Sequence, residues 1–321
     1  MRKLISGLLL FLFPLLSSGQ RIDNLVSFRN ISGEKYIRLH YDNDFWGKSD
    51  YYYTQGYNLE FVNPALKNNP LAHNLLKLKN SRVKYGIALE HYGFTPTIIA
   101  SSSILYKDRP YAGVILLKSF SISVDTIHRS RLSSVLSTGM IGPVAFAGPM
   151  QKKIHSWTGD NEPMGWQFQI KNDAAINYEV NYEKELFNVP NIISLNTNSQ
   201  IRLGTLSDKL QAGATLTLGK FDSPFEAREK LTKQNFQLYL YFQPLINLVG
   251  YDATMQGGVF NRDSPYTLKA NEINRLVYQN SIGAVLNFRN IYLEFNHVFL
   301  SKEFKEGMPH QWGGVRIGLA F

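Results

Sequence analysis

The residues best equipped for chemistry in this sequence are Asp42, Asn43 and Asp44, with Asp50 close behind, and His155 in a glycine-rich stretch further on. Three carboxylates and an amide within nine residues can supply oxygen ligands to a hard cation, calcium above all. A calcium-loop alignment places Asp42, Asp44 and Gly47 well, but sets Trp46 and Tyr53 where ligands belong. Solvated loop polarity therefore stays open as a reading of the cluster. His155, with Gln151, Gly159 and Gly165-Trp166 nearby, could act as a general base, because an imidazole titrates near neutral pH. His40, His73, His91, His128, His297 and His310 keep a bystander reading open for it as well. A third polar block is Asp108-Arg109-Pro110-Tyr111-Ala112-Gly113. The chain has no G-x-S-x-G nucleophile elbow, no H-E-x-x-H and no P-loop.

The elements that must position these residues are β-strands. Val315, Ile317, Leu319 and the terminal Phe321 alternate with Gly314, Arg316, Gly318 and Ala320. The same period of two runs through 57–61, 83–90, 210–218, 236–243, 282–289 and 291–296. Further segments near 35–42, 112–124, 131–142, 167–181 and 191–205 bring the total to about twelve, an even number as single-chain bacterial barrels have. A sheet that crosses lipid must close, because every backbone group has to find its partner inside the protein. Arg316, in mid-strand, must then face the lumen, since arginine against lipid at mid-depth costs about 2–4 kcal/mol. The expected fold is thus an all-β, antiparallel transmembrane barrel of the bacterial outer-membrane type. A soluble β-sandwich would also alternate, but would not need so many long strands polar along one face.

The ends and composition agree with that expectation. Residues 1–19 read as a cleaved signal peptide, with Arg2 and Lys3 before the apolar run Leu4 to Leu16 and small residues Ser17-Ser18-Gly19 at its end. Residues 20–321 then form a single barrel domain. No later stretch approaches the roughly 18 apolar residues of a spanning helix, and the absence of cysteine excludes disulfides and thiolate metal sites. The 18 Tyr and 20 Phe suit a membrane interface, where a ring with one polar end sits well. A formal charge of +9, or +7 without Arg2 and Lys3, points in an exported chain to anionic lipopolysaccharide rather than nucleic acid.

Turn lengths orient the barrel. The connections at Arg289-Asn290 and near Asp125 to Ser130 are short, and short turns face the periplasm. The outward loops are then 43–52, 94–111, 143–166, 206–209, 257–275 and 303–311, so the polar blocks share one rim. Two connections on the periplasmic side, Asn63 to Arg82 and Lys220 to Gln234, are unexpectedly long, and the first is expected to hold a short helix.

Several blocks resemble the outer-membrane lipid A 3′-O-deacylases, the LpxR-like family. They are Asn43-Asp44-Phe45, Tyr52-Tyr53-Thr54-x-Gly56, Asp108 to Gly113, Gly142-Pro143, Gln151-x-x-x-His155 and Gly165-Trp166-x-x-Gln169, in order over essentially the whole mature chain. The resemblance implies a twelve-stranded barrel in the outer membrane, active at its outer-leaflet end. It implies calcium-dependent hydrolysis of the ester that joins the 3′ acyloxyacyl chain to lipid A. It makes His155 the catalytic base, Asp44 the calcium ligand, Asn43 and Thr54 active-site neighbours, and Arg109 and Gln151 substrate contacts. The partner is lipid A in the outer leaflet, and a monomer is expected. One feature departs: after Thr95-Pro96 no lysine occurs until Lys107, where the family carries an active-site lysine, so Lys107 or Lys84 replaces it or the contact is lost. An outer-membrane phospholipase, or a pore or lipopolysaccharide-binding barrel without activity, are the alternatives.

Overall fold

A computed structural model describes residues 31, 33–47, 51–226 and 236–321; the expected signal peptide lies outside them. Twelve antiparallel strands close one sheet, each beside its sequence neighbours, with the first and last paired. They are β1 (Tyr36–Asn43), β2 (Tyr52–Val62), β3 (Arg82–Thr95), β4 (Ala112–Asp125), β5 (Ser130–Ile141) and β6 (Asp173–Val189). The second half comprises β7 (Ile193–Gly204), β8 (Ser207–Lys220), β9 (Phe236–Asp252), β10 (Leu276–Phe288), β11 (Ile291–Leu300) and β12 (His310–Ala320). The closing pair runs in register from Tyr36 opposite Ala320 to Asn43 opposite Gly313. Closure is what the physics demands, since no strand is left with an unpaired edge in lipid. Among the described residues no helix is long and apolar enough to span a membrane.

Alternation sorts the side chains. On β9, Leu238, Leu240, Phe242, Ile246 and Leu248 are exposed on the outer wall while Tyr239, Tyr241, Gln243 and Asn247 are buried within. Charges face inward and meet partners on neighbouring strands. Arg316 donates to Glu294 at 2.6 Å and to Asn296 at 2.8 Å. Lys118 lies 2.6 Å from Glu90, Arg131 and Arg202 each donate through Nε at 2.7 Å to Glu183 and Glu179, and Arg38 pairs with Glu60. The lumen is therefore lined by ion pairs between neighbouring strands. Bulky rings fit against small residues across the ladder: a Cβ on Gly86 would meet the ring of its cross-strand partner Phe120 at 2.2 Å.

The connections divide the barrel into two rims. At one rim lie the two-residue turn 289–290, the four residues 126–129 and both ends of the sheet; at the other lie the long loops 96–111, 142–172, 253–275 and 301–309. Outward aromatics gather near the long-loop rim, where Tyr41 sits 5.0 Å from Tyr57 and 5.8 Å from Trp46, and Trp46 6.2 Å from Phe295. This is where amphipathic rings favour the membrane interface.

Two expectations are corrected. The sixth strand begins at Asp173 and runs to Val189 rather than spanning 167–181, because Trp166–Phe168 form a 3-10 turn instead of entering the ladder. The connection after β2 forms two 3-10 turns, Pro64–Asn68 and Pro70–Asn74, and not one helix. Pro70 forces Asn69 into an extended conformation (φ −61°, ψ 126°), which interrupts the helix. Asn63 and Asn69 cap the two turns, their side chains accepting from Ala65 and Leu71 at 2.9 and 3.1 Å.

The inside–outside assignment has a direct test in denaturant titrations of the barrel in vesicles. Ile317→Arg should destabilise it by roughly 2–4 kcal/mol, as charge is driven into lipid. Glu294→Ala should cost about 3–5 kcal/mol, because the Arg316 guanidinium beside it on the other face is stranded. Equal and negligible effects would contradict the assignment.

Candidate active site

The site forms on the outer face of the wall at the long-loop rim, where β1 ends, β2 begins and one helix packs. Alternation separates the first polar cluster. Asp42 faces the lumen, where His40 Nε2 lies 2.6 Å from one carboxylate oxygen and Tyr53 donates to the other at 3.4 Å. Asn43, one residue on, faces outward and donates to the Thr54 carbonyl at 2.9 Å. Asp44, buried, opens the 3-10 turn Asp44–Gly47 directly after it. The Asp42 carboxylate is thus engaged by His40 and Tyr53, and Asp50 lies outside the described residues.

Thr54 owes its position to a bulge. Tyr53 pairs with Phe94 and Gln55 with Gly93, so Thr54 has no partner of its own in the ladder. An extra residue of this kind bends a strand and re-aims its side chain. Tyr53 points to the lumen and Thr54 to the outer wall.

The helix α1 (Ala147–Thr158) buries Ala147, Gly148, Gln151 and His155, a stripe along one side. Glycines make its seat. A Cβ on Gly113 would come within 2.7 Å of Ala147 Cβ, and one on Gly148 within 2.9 Å of the Trp166 ring. A Cβ on Gly165 would meet the Tyr111 ring at 2.4 Å, and Tyr111 and Trp166 pack with centroids 4.9 Å apart. These contacts account for Tyr111, Gly113, Gly165 and Trp166 of the sequence blocks as packing rather than chemistry.

A hydrogen-bond chain links helix and wall. Trp166 Nε1 donates to Gln151 Oε1 at 2.7 Å, and Gln151 Nε2 donates to Thr54 Oγ1 at 3.0 Å. Gln151 is engaged at both ends of its amide and is buried. His155 lies one turn further along the same face. Its Nδ1 is 2.6 Å from the Asn161 carbonyl oxygen. A carbonyl only accepts, so Nδ1 carries a proton, and in the neutral ring the lone pair is then on Nε2.

Arg109 is elsewhere. It is buried within the loops, paired with Glu303, donating to Thr254 Oγ1 at 2.8 Å and lying 3.8 Å from the Phe94 ring centroid. Burial pushes the Glu303 carboxyl up to about 7, with Arg109 opposing the shift. Lys84 cannot replace the expected lysine, because it sits near the short-turn end of β3, its Nζ 3.0 Å from the Ile31 carbonyl. Lys107 stands exposed in loop 96–111 with a left-handed backbone (φ 65°).

The outer membrane protein LpxR family model matches residues 5–321. The chain belongs to the LpxR family of outer-membrane proteins. Among solved structures, LpxR from Salmonella typhimurium superposes with a TM-score of 0.73 at 17% identity, over 89% of this chain and 100% of that one. The β domain of the Bordetella autotransporter BrkA reaches 0.46 at 8% identity, over 91% and 100%. No curated protein matches in sequence. The barrel accordingly resides in the bacterial outer membrane, and its long-loop rim is the outer one, as short turns face the periplasm.

Residue types around His91 gave no hint of its part in this LpxR-family site. Its Nε2 is 2.7 Å from the Ala145 carbonyl, and its ring stacks on Phe146 at 5.0 Å, so it pins the chain entering α1. Asn161 acts through its backbone carbonyl, which no side-chain pattern can announce.

Two measurements check this construction. Gly113→Val should lift α1 from the wall, leaving the barrel resistant to heat and detergent but opening loop 142–172 to protease; an unchanged digest would refute the seat. Glu303, raised from 4.5 to about 7, binds its proton in the folded state across a window in which the unfolded chain has released it. Its contribution is therefore present below about 4.5 and lost as pH rises through about 7. Protease resistance of the loops should fall as pH rises from about 4.5 to about 7, and Glu303→Gln should flatten that slope.

Proposed function

We propose that this barrel is a lipid A 3′-O-deacylase, hydrolysing the ester that attaches the 3′ acyloxyacyl chain. The observation that carries the reading is the hydrogen bond from His155 Nδ1 to the Asn161 carbonyl, beside the outer wall of an LpxR-family barrel, which suits Nε2 to the part of a base. An ester of a membrane lipid lies at the boundary between headgroup and acyl chains. A site on the outward face, beside the aromatic girdle, meets that bond from within the leaflet. A site in the lumen would not.

In this reading His155 Nε2 takes a proton from water as the oxygen attacks the ester carbonyl, and returns it to the departing alcohol as the tetrahedral intermediate collapses. Thr54 Oγ1 accepts from Gln151, which leaves its O–H to donate to the substrate. Asn43 fixes the bulge that aims Thr54. Gln151 acts as a positioning residue through Thr54, since both ends of its amide are engaged, and Arg109 as a brace for the loops, its guanidinium held by Glu303 and Thr254. Asp44 is a buried carboxylate, an oxygen donor of the kind a hard cation takes, though among the described residues no three carboxylates or histidines gather. Calcium, held by Asp44, would supply charge to stabilise the oxyanion when bound.

The decisive experiment is mass spectrometry of lipid A from a host with defined hexa-acylated lipid A. Expression should remove the mass of the 3′ acyloxyacyl group. His155→Ala should lower the rate by about 10²–10⁴ while the barrel still folds. Release of lysophospholipid with lipid A unchanged would sink the assignment in favour of a phospholipase. Chelation should abolish turnover by the purified protein and added calcium restore it, and Asp44→Asn should shift the calcium dependence to higher concentration; activity indifferent to chelator removes calcium from the reading.

A further inference from the structure

The alternation of β4 inverts toward the periplasm. Leu117 faces lipid, 54% exposed, yet the next outward positions are Ser119, Ser121 and Ser123, while Phe120 and Ile122 turn inward. Ser134 of β5 and Tyr178 of β6 share this outer face. Hydroxyls on a lipid-facing wall need partners, and the connection 63–81 supplies them by folding back over the outside of the barrel. The Leu76 carbonyl accepts from Ser134 at 2.8 Å, its N–H donates to Tyr178 at 3.0 Å, and the Leu78 N–H donates to Ser123 Oγ at 3.0 Å. Asn69 reaches Ser119 at 3.4 Å, and Tyr178 returns a bond to the Asn74 carbonyl at 2.8 Å. The segment is a strap laid on the wall at the periplasmic rim.

What the strap shows to its surroundings is specific. Between Asn63 and Arg82 there is no acidic residue. Leu71 and Leu76 are exposed, at 38% and 55%, and so are Lys67, Lys77 and Lys79. Lys77 lies over the outward Tyr85 ring at 5.6 Å and donates one proton to the Ala72 carbonyl at 3.2 Å, which leaves two of its three protons for another acceptor. Apolar side chains flanked by lysines, at the edge of a membrane wall, are the chemistry of an interfacial anchor for anionic headgroups.

We propose that the strap is a binding site for anionic glycerophospholipid of the periplasmic leaflet, with Lys67, Lys77 and Lys79 contacting the phosphate and Leu71 and Leu76 entering the acyl region. This site is independent of the chemistry proposed at the opposite rim. The absence of native cysteine makes His73→Cys a unique labelling position on the strap. The labelled full chain would be placed in nanodiscs of phosphatidylcholine with one quarter phosphatidylglycerol, either lipid being brominated as the quencher. Quenching per brominated lipid should be several-fold stronger from phosphatidylglycerol. Lys67→Gln, Lys77→Gln and Lys79→Gln together should abolish that preference, each lysine being worth about fivefold near an anionic surface. Native mass spectrometry of the unlabelled barrel should show the same preference in co-purifying lipid. Equal quenching from both lipids, no quenching from either, or a preference that survives the triple substitution would each overturn the proposal.

Discussion

In hydrocarbon a backbone amide has no water to turn to, and everything in this molecule follows from the closed ladder that satisfies that demand. Closure makes each strand two-faced, and because the period is two, each residue's surroundings are decided by its parity. Arg316 and Glu294 are adjacent across the ladder and both inward, so they pair; Ile317, next in the chain, meets lipid. Asp42 and Asn43 are neighbours in sequence and lie on opposite sides of the wall. A carboxylate in the lumen and an amide in the site are the result of one peptide step.

Function then requires a local exception to the rule. With strict alternation, Thr54 would have to share the lumen or leave the site's face according to the register of the whole strand. The bulge between Tyr53 and Gln55 uncouples the two sides, keeping Tyr53 on Asp42 in the lumen while Thr54 meets Gln151 outside. Helix α1 needs a second exception, a place where the outer wall is bare enough to approach. Gly113 provides it, and a methyl group there would already collide with Ala147.

The barrel was legible in the sequence because alternation reports parity directly, and the strand count, closure and rim assignment all derive from it. The polar blocks were legible as belonging to one rim for the same reason. Their internal division was not. Nothing in Asp42-Asn43-Asp44 says where the strand stops, and the strand end decides which carboxylate stays near the site. Arg109 reads as a ready anion contact, yet its partner Glu303 lies far along the chain and only the fold brings them together. His155 draws its tautomer from a backbone carbonyl, a partner that has no letter of its own. The resemblance to a known family located these positions but did not sort chemistry from packing; the glycine contacts do.

The strand β4 shows why the two covering elements, α1 and the strap, lie where they do. Along its outer face come Gly113 under α1, then Ile115 and Leu117, then Ser119, Ser121 and Ser123 under the strap. A strand that displayed only aliphatic side chains to lipid would offer neither element a foothold, since hydrocarbon competes equally well for an apolar surface. Covering elements must instead be held by what lipid cannot supply: close approach over glycine at one rim, hydrogen bonds from serine at the other. The short aliphatic stretch between them is what remains for the acyl chains. The inverted run Ser119-Phe120-Ser121-Ile122-Ser123 was thus a readable sign that this part of the wall is covered, since serines facing out and a phenylalanine facing in make sense on a membrane barrel only beneath another piece of protein.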